Sequence, residues 1–386
     1  MRLAEIVALL DDWYDPAWAE PWDAVGLVCG DPGDEVRSVL FAIDPVETVV
    51  DEALELGVDL LVVHHPLLLS GVSSVAATTA KGRVVHRLLR GGVALLTAHT
   101  NADVPADGVN ASIADALGLV DATVLEPTDA GAHGLDKLVA FVPTEHADAV
   151  RAALVEAGAG ALGAYDSCTF STPGEGRFRP LDGADPAVGR VGEVEVVSEV
   201  RVETLYPRAE RAAVVAALRA AHPYEEPAFD LLELADVPGG PVTGGAPASV
   251  RGHGRVGELA EPVTLRGFAD LVARVLPATA HGVRVAGDPE REVRRVAVLA
   301  GSGESLLEAA RAAGADVVLT SDLKHHRAGE LLADGGPALV DVAHWAAEWT
   351  WLPVVADKVA RATAAAGTTV ETHVSRRVTD PWTFRV

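Results

Sequence analysis

The sequence predicts an α/β protein in which two related βαβ-type halves form one core, with an inserted α+β ferredoxin-like domain between them. Three observations predict it. Segments 36–59 (VRSVLFAIDPVETVVDEALELGVD) and 293–316 (VRRVAVLAGSGESLLEAARAAGAD) align without a gap, each reading as an apolar strand, a turn, an amphipathic helix and a glycine before a new strand. Residues 90–103 (RGGVALLTAHTNAD) and 334–348 (DGGPALVDVAHWAAE) each carry a glycine pair and then a strand ending in polar, ligand-capable residues. Between these halves the pattern changes to β-α-β-β-α-β. The expected division is therefore 1–126 for the first half of the core, 127–246 for the insert and 247–386 for the second half.

Each element follows from its local pattern. MRLAEIVALLDDWYD reads as a first helix, because its short apolar run is broken by acids and lacks the small-residue cleavage site of a signal peptide. Gly57 and Gly314 end the repeated helices and lead into DLLVVHHP and DVVLTSDL. The run LVVHHPLLL, residues 61–69, sets two adjacent histidines in apolar surroundings, and core packing calls for neither. Neighbouring residues of a regular strand face opposite sides, so both imidazoles serve one cleft only if the strand ends there, as Pro66 requires. In the insert, 135–160 reads as strand then helix, 191–207 as a hairpin-forming segment, 208–222 as a second helix and 222–234 as the final strand. Segments 125–134 and 236–249, rich in Gly, Pro and small residues, read as linkers. After the strand ALVDV, His344 and Glu348 stand four residues apart on one face of a helix.

Composition bounds the setting. The chain has 386 residues, enough for two or three domains, and 49% are hydrophobic, enough to fill their cores. A formal charge of −25 disfavours a nucleic-acid or anionic-membrane binder, which needs clustered Lys and Arg. It leaves room for a small anionic substrate in a cleft that holds divalent metal. Cys29 and Cys168 lie far apart without metal-type spacing, and no apolar run is long enough to span a membrane, so a reducing, cytoplasmic setting is expected.

In parallel sheets ligands gather beyond the carboxyl ends of the strands, where His64, His65, Asp103, Ser321, Asp322 and His344 fall. Taken singly, each has a plain reading: Asp103 as a turn residue, the histidine pair as satisfied buried groups, His344 and Glu348 as an exposed helix pair. Together, three strand ends deliver His64, His65, Asp103, His344 and Glu348. That inventory exceeds the needs of one ion that also binds water, and it suits two divalent ions (Zn, Mn, Fe or Mg) with a bridging carboxylate. His99, Asn101 and Asp341 adjoin these residues and are placed to orient them. Lys324 and His326 are candidates to meet phosphate. Gly301-Ser302-Gly303 offers backbone N–H groups to an anion but lacks the lysine of a phosphate-binding loop. HPYEEP, residues 222–227, reads as structural in the insert.

WDAVGLVCG (22–30), DLLVVHHPLL (59–68), AHTNADVPADGVN (98–110), GSG (301–303), TSDLKHH (320–326) and DVAHWAAE (341–348) resemble the successive motifs of the GTP cyclohydrolase 1 type 2-like proteins, also called the Nif-three-like dinuclear metal-centre family. Segments 176–203 and 222–230 are similar to the inserted CutA/PII-like domain of the longer members. The resemblance implies that the five residues are metal ligands with Glu348 bridging, and that the chains form a ring-shaped hexamer. It also implies a nucleotide substrate such as GTP, opened at guanine's five-membered ring with release of formate, for which His326 is the expected catalytic proton shuttle. Ala24, His325 and Ala343 depart from the family's usual Asn, Tyr and Gly and bear on substrate contacts. Metal-dependent phosphoester hydrolysis and a regulatory metal-binding protein without turnover are the rival expectations.

Overall fold

Apolar runs punctuated by glycine turns become three sheets in the computed structural model, which describes residues 1–128, 135–162, 165–184, 186–234 and 251–386. The first sheet sets Gly26–Cys29, Ala94–Thr97, Leu60–Val63, Ser38–Ala42 and Glu371–Val374 side by side in that order. Its neighbours are parallel except for the edge pair of Gly26–Cys29 with Ala94–Thr97. The second sheet orders Val283–Ala286, Ala338–Val342, Val317–Ser321, Glu292–Ser302, Gly252–Thr264 and Leu119–Pro127, parallel at its centre and antiparallel outside. Both sheets therefore run from an antiparallel edge through the third, second and first strands of a β-α-β-α-β unit.

The period of two along a strand decides which core each residue joins. Val39, Phe41, Leu60, Val62 and Leu96 face a central core that also takes Val296, Val298, Val317, Leu319 and Val340 from the second sheet. Helices Leu3–Trp13, Val109–Ala116, Leu265–Val275 and Trp351–Ala365 fill the same core. The alternate residues Leu40, Leu61, Val63 and Leu95 pack outward against helices Glu47–Leu56 and Ala80–Gly91. Ala297, Leu299, Val318 and Leu339 do the same against Leu307–Ala312 and His325–Ala333. Strands buried on both faces read as unbroken apolar runs, which is why LLVV and VVLT carry no alternation.

The chain divides into two compact units, one of Met1–Thr128 with Ser249–Val386 and the other Asp129–Ala248. In the second unit Thr169–Phe178, Glu195–Pro207, Leu135–Pro143 and Phe229–Glu233 form an antiparallel sheet in that order. Helices Ala147–Glu156 and Arg211–Ala221 cover it through Val150, Leu154, Val214 and Leu218, so this unit has its own apolar core.

Two expectations need correction. Residues 191–207 do not fold back on themselves; Glu195–Pro207 is one long strand whose hairpin partner is Thr169–Phe178. That partner contains Pro173, Gly174 and Gly176 and reads as a loop, but it lies at the sheet edge, where a missing N–H is tolerated. The segment expected as a first linker begins inside a strand: Glu126 and Pro127 pair with His253 and Gly252. Residues 129–134 and 236–249 of the expected linkers lie outside the described residues.

Candidate metal centre

The five nominated residues converge beyond the carboxyl ends of the parallel strands. His64 and His65 follow Leu60–Val63, and His344 opens the helix His344–Trp349 that follows Ala338–Val342. The short helix Thr100–Asp103 follows Ala94–Thr97 and brings Asp103. His64 N–H donates to the Ala42 carbonyl at 3.1 Å and His65 N–H to Ile43 at 2.9 Å. Successive N–H groups bonded to one neighbouring chain mark the end of regular strand alternation, which lets both imidazoles turn to the same place.

Glu348 stands at the centre. Its Oε1 lies 2.8 Å from His344 Nε2 and 3.6 Å from His64 Nε2, and its Oε2 lies 3.0 Å from His65 Nε2. Asp103 Oδ1 is 3.7 Å from His64 Nε2. Two of these buried atoms, His64 Nε2 and Asp103 Oδ1, have no hydrogen-bond partner among the described residues, and Glu348 Oε2 has only its 3.0 Å contact with His65 Nε2. Leaving such atoms unmatched is unfavourable, at about 1–3 kcal/mol each, so a set of ligand atoms converging on one another fits a bound cation.

The sequence reading assigned His99 only an orienting role, yet its ring lies 5.1 Å from that of His64 and 5.5 Å from that of His65. His64, His65 and His99 form one group with ligand atoms close enough to share an ion; His65, His344 and Glu348 form another. The signal was present in the repeat: AHTNAD and AHWAAE place a histidine and an acid at the same four-residue spacing. All four imidazoles are fixed from behind. Nδ1–H donates to Ala98 O from His64 (2.9 Å), to Asp44 from His65 (2.7 Å), to Asp23 from His99 (2.8 Å) and to Asp322 from His344 (2.6 Å). Such partners fix the tautomer that leaves Nε2 free to coordinate. Asp322 reaches His344 from a left-handed backbone conformation, φ 60°.

Gly301 completes the cradle. A Cβ there would stand 2.6 Å from Glu348 Oε1 and 3.1 Å from His344 Nε2, on a backbone at φ 73°. Gly301→Ala is expected to cost about 1–2 kcal/mol of stability through its left-handed backbone. Beyond that, it should weaken metal binding by pushing Glu348 aside, as metal titration read beside a melting curve would reveal. Metal affinity unchanged from wild type would remove Gly301 from the site.

Without a cation, protons balance the charge. Burial opposes charge on His65, but the attraction of Glu348 and the hydrogen bond to Asp44 outweigh it and lift its pKa to about 10. At His344 burial is likewise overcome by Glu348 and Asp322, and the value rises to about 11. Burial pushes Glu348 up, yet His65, His344 and His64 together hold it well below the usual carboxylate range. Burial and then repulsion from His64 bring His99 down to about 4, while burial raises Asp103 to about 6. Metal uptake must displace the protons on His65 and His344. Calorimetry in two buffers of different ionisation enthalpy is expected to count roughly two protons released per chain at about pH 7, with affinity falling as pH falls. Uptake without proton release would contradict this charge balance.

His326 is not brought to the centre. It is exposed on helix His325–Ala333, its ring 5.2 Å from that of His325, and it lines neither cavity beside Glu348 and His344. The strand end that precedes it delivers Asp322 instead. Lys324 is also exposed, 3.5 Å from Glu304.

Among known proteins, residues 1–381 match the family model described as Duf34/NIF3 (NGG1p interacting factor 3). The chain is 49% identical over 382 residues to a Mycobacterium tuberculosis protein named GTP cyclohydrolase 1 type 2 homolog, covering 99% of this chain and 97% of that one. A solved Bacillus cereus protein described as related to NIF3 superimposes with a TM-score of 0.70 at 37% identity, over 100% of this chain and 99% of that chain. Staphylococcus aureus protein SA1388 gives a TM-score of 0.75 at 28% identity over the same shares.

Proposed function

The chain belongs to the Duf34/NIF3 family, and from that premise we propose that it is a metal-dependent hydrolase with a dinuclear centre, acting on a nucleotide such as GTP. The observation that carries the reading is the convergence of two buried unpartnered atoms, His64 Nε2 and Asp103 Oδ1, 3.7 Å apart, beside Glu348, whose Oε1 lies 3.6 Å from His64 Nε2. The proposed ligands are His64, His65, Asp103, His344 and Glu348, with His99 added. Glu348 sits between the groups, one oxygen toward His344 and the other toward His65, which supports a bridging role.

Bound there, two divalent ions would supply Lewis acidity and a water acidified toward neutral pH. The chain's own work is orientation and charge. Asp23, Asp44, Asp322 and the Ala98 carbonyl hold four rings in one tautomer. Trp351 packs against His64 with ring centroids 5.6 Å apart, and its indole N–H donates to Tyr14 Oη at 3.2 Å, so the deepest ligand is held in an apolar wall.

The relatives' name, GTP cyclohydrolase 1 type 2 homolog, supports GTP as the substrate, and ring opening with release of formate is the reaction proposed here. Metal-loaded protein is expected to release formate from GTP and to stop on chelation. Orthophosphate without formate would move the reaction to phosphoester hydrolysis, and neither product with any of Zn, Mn, Fe or Mg would contradict a nucleotide hydrolase. The matching strand order of the first two sheets supports two related halves, and the βαββαβ order of the second unit supports an inserted ferredoxin-like domain of the CutA/PII kind. A hexameric ring belongs to the same reading, with light scattering as its test. Among the described residues no helix is long and apolar enough to cross a membrane.

A further inference from the structure

Two cavities meet at His344. One, about 460 Å³, is lined by His99, Asp103, Gly301 and Glu348 among others. The other, about 230 Å³, lies against His65 and His344 and is walled by the C-terminal residues Thr379, Asp380, Pro381 and Trp382. The carboxylates of this smaller cavity are unequal. Asp44 is engaged by His65 and Thr379, and Asp322 by His344. Asp380 is more than nine-tenths buried, at 8% exposed, and its Oδ2 has no hydrogen-bond partner among the described residues. A buried carboxylate oxygen of this kind calls for a donor.

The neighbouring side chain is the reverse case. Trp382 lines the same cavity with 67% of its surface exposed, a free aromatic face of the sort on which bases stack. No lysine or arginine lines the smaller cavity among the described residues, and its three carboxylates, Asp44, Asp322 and Asp380, suit a ligand that presents N–H donors. The volume falls below the roughly 300–1,000 Å³ of pockets for drug-sized ligands, which matches one ring system rather than a whole nucleotide.

We propose that this cavity takes the base end of the substrate, a planar heterocycle presenting adjacent N–H donors as guanine does, with Asp380 accepting that edge and Trp382 stacking on the ring. Guanine offers its 2-amino group and ring N–H side by side, whereas adenine offers no such pair. The assignment rests on the metal-centre reading in one respect: it sets the ring beside His65 and His344. Asp380 and Trp382 are then specificity residues, outside the ligand set.

Calorimetric titration of the metal-loaded full chain with guanosine, inosine and adenosine tests it, inosine being guanosine without the 2-amino group. Guanosine is expected to bind about 10- to 100-fold more tightly than inosine or adenosine, the effect of one charge-assisted hydrogen bond. Asp380→Asn should weaken guanosine and erase its advantage over inosine, while Trp382→Ala should weaken both alike. Elemental analysis should find the wild-type metal content in both variants. Equal binding of guanosine and inosine by wild type, or an advantage that survives Asp380→Asn, would overturn the proposal. So would loss of an ion in Asp380→Asn, which would make the cavity a cation site. Guanosine selectivity with neither formate nor orthophosphate released from GTP would sustain the base pocket and sink the hydrolase reading, and formate release without selectivity would do the opposite.

Discussion

Glu348→Gln is expected to leave the protein unable to retain two ions and without hydrolytic activity. The carboxylate is buried to 3% exposure and lies within 3.6 Å of the Nε2 atoms of His64, His65 and His344. An amide of the same shape keeps the packing but removes the negative charge and turns one oxygen into a donor facing imidazole nitrogens. Without the carboxylate, His65 and His344 lose the attraction that opposes burial of their charge, and both should shed protons near neutral pH. The metal-free variant should therefore be less stable at neutral pH, by less than the about 3–5 kcal/mol of a broken buried ion pair, because the histidines can neutralise. Asp103→Asn should be milder in metal loss, since its known contact is with the His64 side of the centre alone. Elemental analysis after dialysis against each metal ranks the two variants. Retention of both ions by Glu348→Gln would remove it from the bridging position.

His64→Gln and His65→Gln are each expected to weaken metal binding on the order of 10–100-fold or more, taking the losses seen for outer hydrogen-bond partners as a lower guide. Their metal-free forms should differ. His64 Nε2 has no hydrogen-bond partner, so its loss should cost the Nδ1–H bond to Ala98, about 1 kcal/mol, together with its attraction for Glu348, whose Oε1 lies 3.6 Å away. His65 carries a proton for Glu348 and Asp44, with its pKa raised from an ordinary 6.5 to about 10. The stability this contributes is fully present below about pH 6.5 and lost as pH rises through about 10. The melting gap between wild type and His65→Gln should therefore be widest in mild acid and close toward about pH 10. A gap that widens with pH would contradict the charge assignment, and unchanged metal affinity in both variants would return these residues to the core.

Much of this centre was legible because polar residues interrupt strands that are otherwise buried on both faces. His64, His65 and His344 stand out against LLVV and ALVDV for that reason. The repeat indicated that two strand ends would face one cleft, and it already contained His99 through the shared histidine–acid spacing. The supporting carboxylates were not legible. Asp44, Asp322 and Asp23 lie 21, 22 and 76 residues from the rings they orient, and only tertiary approach pairs them. Asp380 and Trp382 belong to a tail without periodicity. The position of His326 was not legible either: the chain turns at Asp322 and begins a surface helix before reaching it.

The most direct measurement is a metal count on the intact, metal-loaded chain, combined with anomalous scattering to position each ion. Two divalent ions per chain are expected, roughly 3.5–4 Å apart, with Glu348 between them and His64, His65, His99, Asp103 and His344 around them. One ion or none after loading with each of Zn, Mn, Fe and Mg would contradict this expectation.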